Sequence, residues 1–224
     1  MKIMTIAQTT VDTSIGFGLA EMAYLLQLQS TAGSKTSASW LRLSEESEDV
    51  DLIRAGLSSL IARGLASAKG TAVEFDARVD VLVYTLASAS KWTQLDLLLD
   101  AKRGDSVLHV ESDRTKLILQ PRTMMSWFAL PQDPGISAEA AEAIIIKTHL
   151  DQNPGGGVRV RCGLHPGSRQ MLVRKADGCW IHAVALDDVV GPEVLAKSGD
   201  ELTEALAAFR SAAFRTDEET TDGN

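Results

Sequence analysis

Four histidines, two cysteines and a triple glycine are the residues of this chain whose types could carry chemistry. The histidines are His109, His149, His165 and His182. None stands four residues from another, and none joins a cysteine at zinc-ligand spacing, so no metal site is predicted. His109 and His182 fall in strand-like segments and read as structural, while His165 precedes Pro166 in a turn and reads as solvated. Gly155-Gly156-Gly157 could cradle a phosphate only if a Gly-Lys-Ser/Thr and a helix followed. Val158-Arg159-Val160 follows instead, so a flexible connection into a strand is expected. No G-x-S-x-G elbow exposes a serine. Cys162 is read as having no cationic partner that would favour its thiolate. Cys162 and Cys179 are too few for a disulfide framework and are expected to be buried thiols, with facing positions on neighbouring strands as the alternative. The acidic run at 45–51 lacks the glycine and alternate-ligand pattern of a calcium loop and fits a helix N-terminus. No catalytic residue, metal or cofactor is therefore predicted.

The elements that must hold these residues divide into a helical part and two similar sheet parts. Residues 1–11 read as a first strand. A helix follows from a cap at Thr13 or Ser14 to about Gln29, with Phe17, Met22, Tyr24, Leu25, Leu26 and Leu28 on its buried side. Residues 30–39 are polar and small and read as a loop. Trp40, Leu41 and Leu43 form a short apolar arm, and Ser44 is expected to cap the next helix. That helix carries Ile53, Leu57, Leu60, Ile61 and Leu65 at helical spacing and ends near Gly64. A hairpin turning at Lys69-Gly70 and a helix over about 77–89, with Val79, Leu82, Val83 and Leu86 on one face, complete residues 1–90.

Beyond Lys91 the texture becomes strand and turn. Strands are predicted at Gln94–Lys102, Ser106–Glu111 and Lys116–Pro121, then a helix capped by Ser137 and running to about Leu150, with Ala140, Ile144, Ile145 and Leu150 inward. The pattern recurs: strands at Val158–Cys162, Gln170–Lys175 and Cys179–Leu186, then a helix opened by Ser198-Gly199-Asp200-Glu201 and running to about Phe214, with Leu202, Leu206, Phe209 and Ala213 inward. The fold class expected is α+β: one domain over 1–215, its central antiparallel sheet built from two meander-plus-helix halves (91–150 and 151–215) about a pseudo-twofold axis. Residues 216–224 are acidic and read as a disordered tail.

Composition limits the partners. The 30 acids outnumber the 22 bases, leaving a net charge of −8. That argues against nucleic acid and anionic membranes, which need clustered Lys and Arg. No stretch reaches the roughly 20 apolar residues of a membrane span, and a cytoplasmic protein is expected. The most apolar segment outside the helices is Met124-Met125-Ser126-Trp127-Phe128-Ala129-Leu130. It either continues a strand over the core or forms a partner surface, with Met124, Met125, Trp127 and Phe128 as its contact residues.

Residues 18–26 (Gly18 to Leu26), Trp40-Leu41-Arg42-Leu43-Ser44, Leu60-Ile61-Ala62-Arg63-Gly64-Leu65 and Arg103-Gly104-Asp105-Ser106-Val107-Leu108-His109-Val110 come in an order that resembles the EspG-type proteins of actinobacterial type VII (ESX) secretion. The likeness is one of layout over nearly the whole chain. It implies a cytosolic chaperone, not an enzyme and without a cofactor, quasi-twofold, with a central antiparallel sheet and flanking helical bundles. Such proteins bind the helical tip of a secretion substrate, typically a PE–PPE heterodimer, and keep it soluble. For this chain the partner implied is a helical-hairpin substrate, PE/PPE-like or WXG-type. The competing reading is a winged-helix-like regulator with a sensor domain, drawn from the helix and hairpin over 44–75. It has only Arg54, Arg63 and Lys69 to offer DNA. A small hydrolase is the third.

Overall fold

The computed structural model describes residues 14–70, 72–164, 169–187 and 189–221, with backbone alone for 216–221. Strand β1 (Ile15–Gly18) leads directly into α1 (Leu19–Gln27). Then come α2 (Ala32–Leu41), a single 3₁₀ turn at 46–48, α3 (Val50–Ala62), a hairpin of β2 (Ala66–Lys69) and β3 (Ala72–Phe75), and α4 (Ala77–Ala87). The first meander is β4 (Lys91–Leu98), β5 (Gly104–Glu111), β6 (Lys116–Arg122) and β7 (Ser126–Pro131), followed by α5 (Ala138–Gln152). The second is β8 (Gly157–Cys162), β9 (Gln170–Ala176) and β10 (Cys179–Leu186), with the short edge pieces β11 (Val189–Val190) and β12 (Val194–Ala196), followed by α6 (Gly199–Thr221).

The fold is α+β around one antiparallel sheet ordered β1-β7-β6-β5-β4-β8-β9-β10-β11, with β12 also paired to β10. The two meanders join where β4 pairs β8. Side chains alternate across a strand, and β4 shows what lies on each face. Trp92 enters a core built by α1–α4 with Phe17, Leu108, Val110, Leu117 and Leu119. Leu95, three residues on and on the other face, enters a core built by α5 and α6 with Val107, Val158, Val160 and Met171. The first four helices and the last two thus cover opposite faces of the sheet. No helix among the described residues is long and apolar enough to cross a membrane.

Several local expectations change. The segment 15–18 pairs with β7 as a strand, so Phe17 is buried from a sheet and not from a helix. Glycines at 16 and 18 had weakened helix there. The expected strand over 1–11 and the cap at Thr13 lie outside the described residues. Residues 32–41, expected as loop, form α2. Its small side chains permit close packing on α4: a Cβ at Gly33 would lie 2.5 Å from the Ala87 carbonyl oxygen. Thr31 caps it and donates to Ala87 O, Ser37 donates to Leu86 O, and Trp92 Nε1 donates to Ser37 Oγ at 3.0 Å. Polarity there reflects tertiary hydrogen bonding, which no local pattern displays. Asp49, not Ser44, caps α3 by accepting from the amides of Asp51 and Leu52. In α5 the inward residues are Ala143, Ile146 and Leu150, with the expected Ile145 partly buried against them, and Ile144 is exposed. Helix α6 continues to Thr221, since the stretch after Phe214 contains no Gly or Pro before Gly223. Cys162 on β8 and Cys179 on β10 are separated by β9, so they do not face each other and no disulfide joins them; Cys162 is buried, as expected, and Cys179 only partly so.

Helices α1 and α3 meet most tightly at Gly56, where an added Cβ would lie 2.0 Å from the Ala20 carbonyl oxygen and 2.9 Å from Tyr24 Cβ. Backbone cannot yield there without separating the helices. Gly56→Ala is expected to destabilise the fold by about 1–3 kcal/mol, despite the higher helix propensity of alanine; urea unfolding measures it. A stability equal to wild type would show that the crossing relaxes freely.

Candidate functional site

The segment 124–130 closes the β6–β7 hairpin and forms β7, and the pleat of β7 decides its exposure. Trp127 and Ala129 face α1–α4 and are buried, Trp127 to 5% exposure. Phe128 and Leu130 point to the other face and stay open, Phe128 at 40%. Gly16 stands across from Phe128, whose ring lies over the missing side chain, and Arg122 covers the ring 5.5 Å from its centre. At the tip, Met124 is 94% exposed and Met125 49%. The four residues expected to form one contact surface are therefore divided. Met124, Met125 and Phe128 are accessible, whereas Trp127 is core.

The tip carries a backbone cost. Met124 and Met125 have φ of 63° and 53°, two successive left-handed residues with side chains. L-residues lose roughly 1–2 kcal/mol each in that region. The β9–β10 hairpin also needs two left-handed residues and uses Asp177 and Gly178, φ 51° and 78°, which tolerate it. One protein thus meets a similar demand with suited residues in one hairpin and with two unsuited, solvent-facing methionines in another.

A second constellation is polar and buried. Arg210 of α6 reaches between the sheet and α5. It donates to Glu111 of β5, Glu142 of α5 and Thr93 of β4, and its Nε lies 3.3 Å from Glu139. His109 Nδ1 lies 2.9 Å from the same Glu142 oxygen. Burial alone would pull the Arg210 guanidinium down. The charges of Glu142 and Glu111, the Glu111 hydrogen bond and Glu139 outweigh it and hold its pKa above the ordinary value. Burial would likewise raise Glu139, but its backbone hydrogen bond, the Arg210 charge and Ser137 overcome this and leave it below the ordinary carboxyl value. His109, Glu111 and Glu142 present donor atoms within 4.8 Å of one another, a set of the kind that ligates a divalent ion. Here the guanidinium bonds both carboxylates and already supplies the cation. Sequence spacing concealed the group, because its members come from β4, β5, α5 and α6. A buried Arg and Glu on the inner stripes of α5 and α6 were the only signal.

Another polar group of the sheet centres on Asp96. Asp96 accepts from Arg159 and Arg161 at 2.8 and 3.1 Å. It lines a concavity of about 670 Å³ between the end of α2 and the β4–β5 turn. His182 lines a neighbouring groove of about 420 Å³ with Val158, Ile181 and Ala183, and burial lowers its pKa. His165 and its turn lie outside the described residues. No protein-family model matches the chain, and no curated protein matches it.

Proposed function

We propose that this protein is a non-catalytic cytoplasmic chaperone resembling the EspG-type proteins of type VII secretion, which holds a helical-hairpin substrate, PE/PPE-like or WXG-type, soluble before export. The observation that carries this reading is the β6–β7 tip, where Met124 and Met125 keep a costly backbone and a solvent-facing apolar surface together. Strain retained at an exposed position is a pointer to function. Methionine suits the role, since its flexible, polarisable side chain adapts to varied helical surfaces. Phe128 and Leu130 extend the apolar area along β7. The regulator reading draws less support. The three bases it would offer DNA already pair with acids, Arg54 with Asp51, Arg63 with Glu21 and Lys69 with Glu74.

The double variant Met124→Asn/Met125→Gly supplies residues that accept left-handed backbone. It is expected to raise unfolding stability by about 1–2 kcal/mol and to lose most co-purification with a co-expressed PE–PPE pair or WXG-type hairpin from the same genome. Undiminished capture by a stabilised variant would remove the tip from the binding site. Failure of the wild type to hold any such hairpin would sink the chaperone reading.

A further inference from the structure

The end of the sheet beyond β10 is apolar and open. Strand β12 pairs with β10 on one side and, among the described residues, with no strand on the other. Val194 and Leu195 on it are half exposed, and Leu186, Val189 and Val190 beside it are more so, Val189 to 73%. Exposed apolar edges template further pairing unless guarded by charge, proline or a bulge. Gly191, Pro192 and Glu193 interrupt the edge between β11 and β12 and act as such a guard. The five residues after Pro192 carry none inside them, only a charge at either end.

Those five residues, Glu193-Val194-Leu195-Ala196-Lys197, complement themselves when read in opposite directions. In an antiparallel pair of two copies centred on Leu195, each leucine meets its own counterpart. Val194 faces the small Ala196, and Glu193 faces Lys197, twice by symmetry. Pro192, which has no amide proton, falls opposite Ser198 at the start of α6, where the strand has ended. Glu193 is already held by Arg174 at 2.9 Å as an exposed pair. Lys197 from a second copy would join that pair on the same sheet face, because positions 193, 195 and 197 share one parity.

We propose that β12 is a self-association edge, through which two copies of this chain join their sheets about a twofold axis at Leu195. The partner is a second copy because hydrophobic size and charge both match under that one register, the arrangement an isologous interface requires. A contact of five paired residues a side is small, so the dimer is a weak one. It lies at the opposite end of the sheet from the β6–β7 tip and does not rest on the chaperone reading.

Sedimentation velocity on the full chain from about 1 to about 100 μM, the range in which small contacts form, is expected to show reversible dimerisation. Leu195→Lys sets two ammonium groups against each other across the axis and is expected to abolish it. Lys197→Glu sets carboxylates against Glu193 at both ends and is expected to weaken it about 3- to 30-fold. Circular dichroism melts of both variants should match wild type, since the sites are on the surface; if Leu195→Lys misfolds, Lys197→Glu decides. A wild-type chain that stays monomeric throughout overturns the proposal. So does a dimer indifferent to both substitutions.

Discussion

Replacing Arg210 with methionine is expected to lower the unfolding free energy by about 3–5 kcal/mol, the cost of leaving buried carboxylates without their cation. Arg210 is 3% exposed, and its guanidinium is shared by Glu111 and Glu142. Methionine keeps most of the side-chain length, so the loss measures charge more than packing. The neutral pair Glu142→Gln with Arg210→Met should recover part of it, and the four-member double-mutant cycle isolates the coupling. Urea unfolding at neutral pH reads each member. A loss under about 1 kcal/mol would mean that the network is dispensable, as some buried ion pairs are.

The acid response follows with a definite sign. Glu139 has its folded pKa below the ordinary 4.5. The unfolded chain therefore binds its proton first, and this group's contribution is present above about pH 4.5 and is lost as pH falls through the folded value. Arg210 is one cause of that shift, so Arg210→Met should flatten this part of the stability profile.

Trp127→Ala is expected to cost about 3–5 kcal/mol, whereas Met124→Ala, three residues away, should change stability by no more than about 0.5 kcal/mol. The contrast follows from the pleat. Trp127 packs with Phe17 of β1 on the helix-covered face, while Met124 projects from the hairpin tip into solvent. Removing the indole leaves a cavity between the sheet and the end of α2, beside Trp40 and Leu41, and the surrounding strands cannot close it without losing register. Client binding should respond in reverse order, with Met124→Ala weakening capture in a fully folded protein. If Trp127→Ala proved as mild as Met124→Ala, β7 would have to sit less firmly than its pairing with β1 and β6 implies.

Local sequence determined much of this architecture. Ser137 and the Ser198–Glu201 box mark the starts of α5 and α6, and Asp177-Gly178 and Lys69-Gly70 mark their hairpins, because caps and turns are short-range hydrogen-bonding and φ requirements. The helical stripe of Leu202, Leu206, Phe209 and Ala213 placed its buried face correctly, and β8 occupies the segment where a strand was expected. What failed was decided at a distance. Residues 32–41 became α2 because Gly33 and Ser37 fit against the α4 backbone, and residues 15–18 became β1 because β7 offered an edge. The Met-Trp-Phe segment looked uniform in sequence. Only the strand it joined could send Trp127 inward and leave Phe128 out. The absence of a sequence motif for chemistry takes a sharper form in the same way. His109, Glu111, Glu142 and Arg210 are scattered over a hundred residues, and the folded chain draws them into one buried cluster in which the arginine already holds the cation's place.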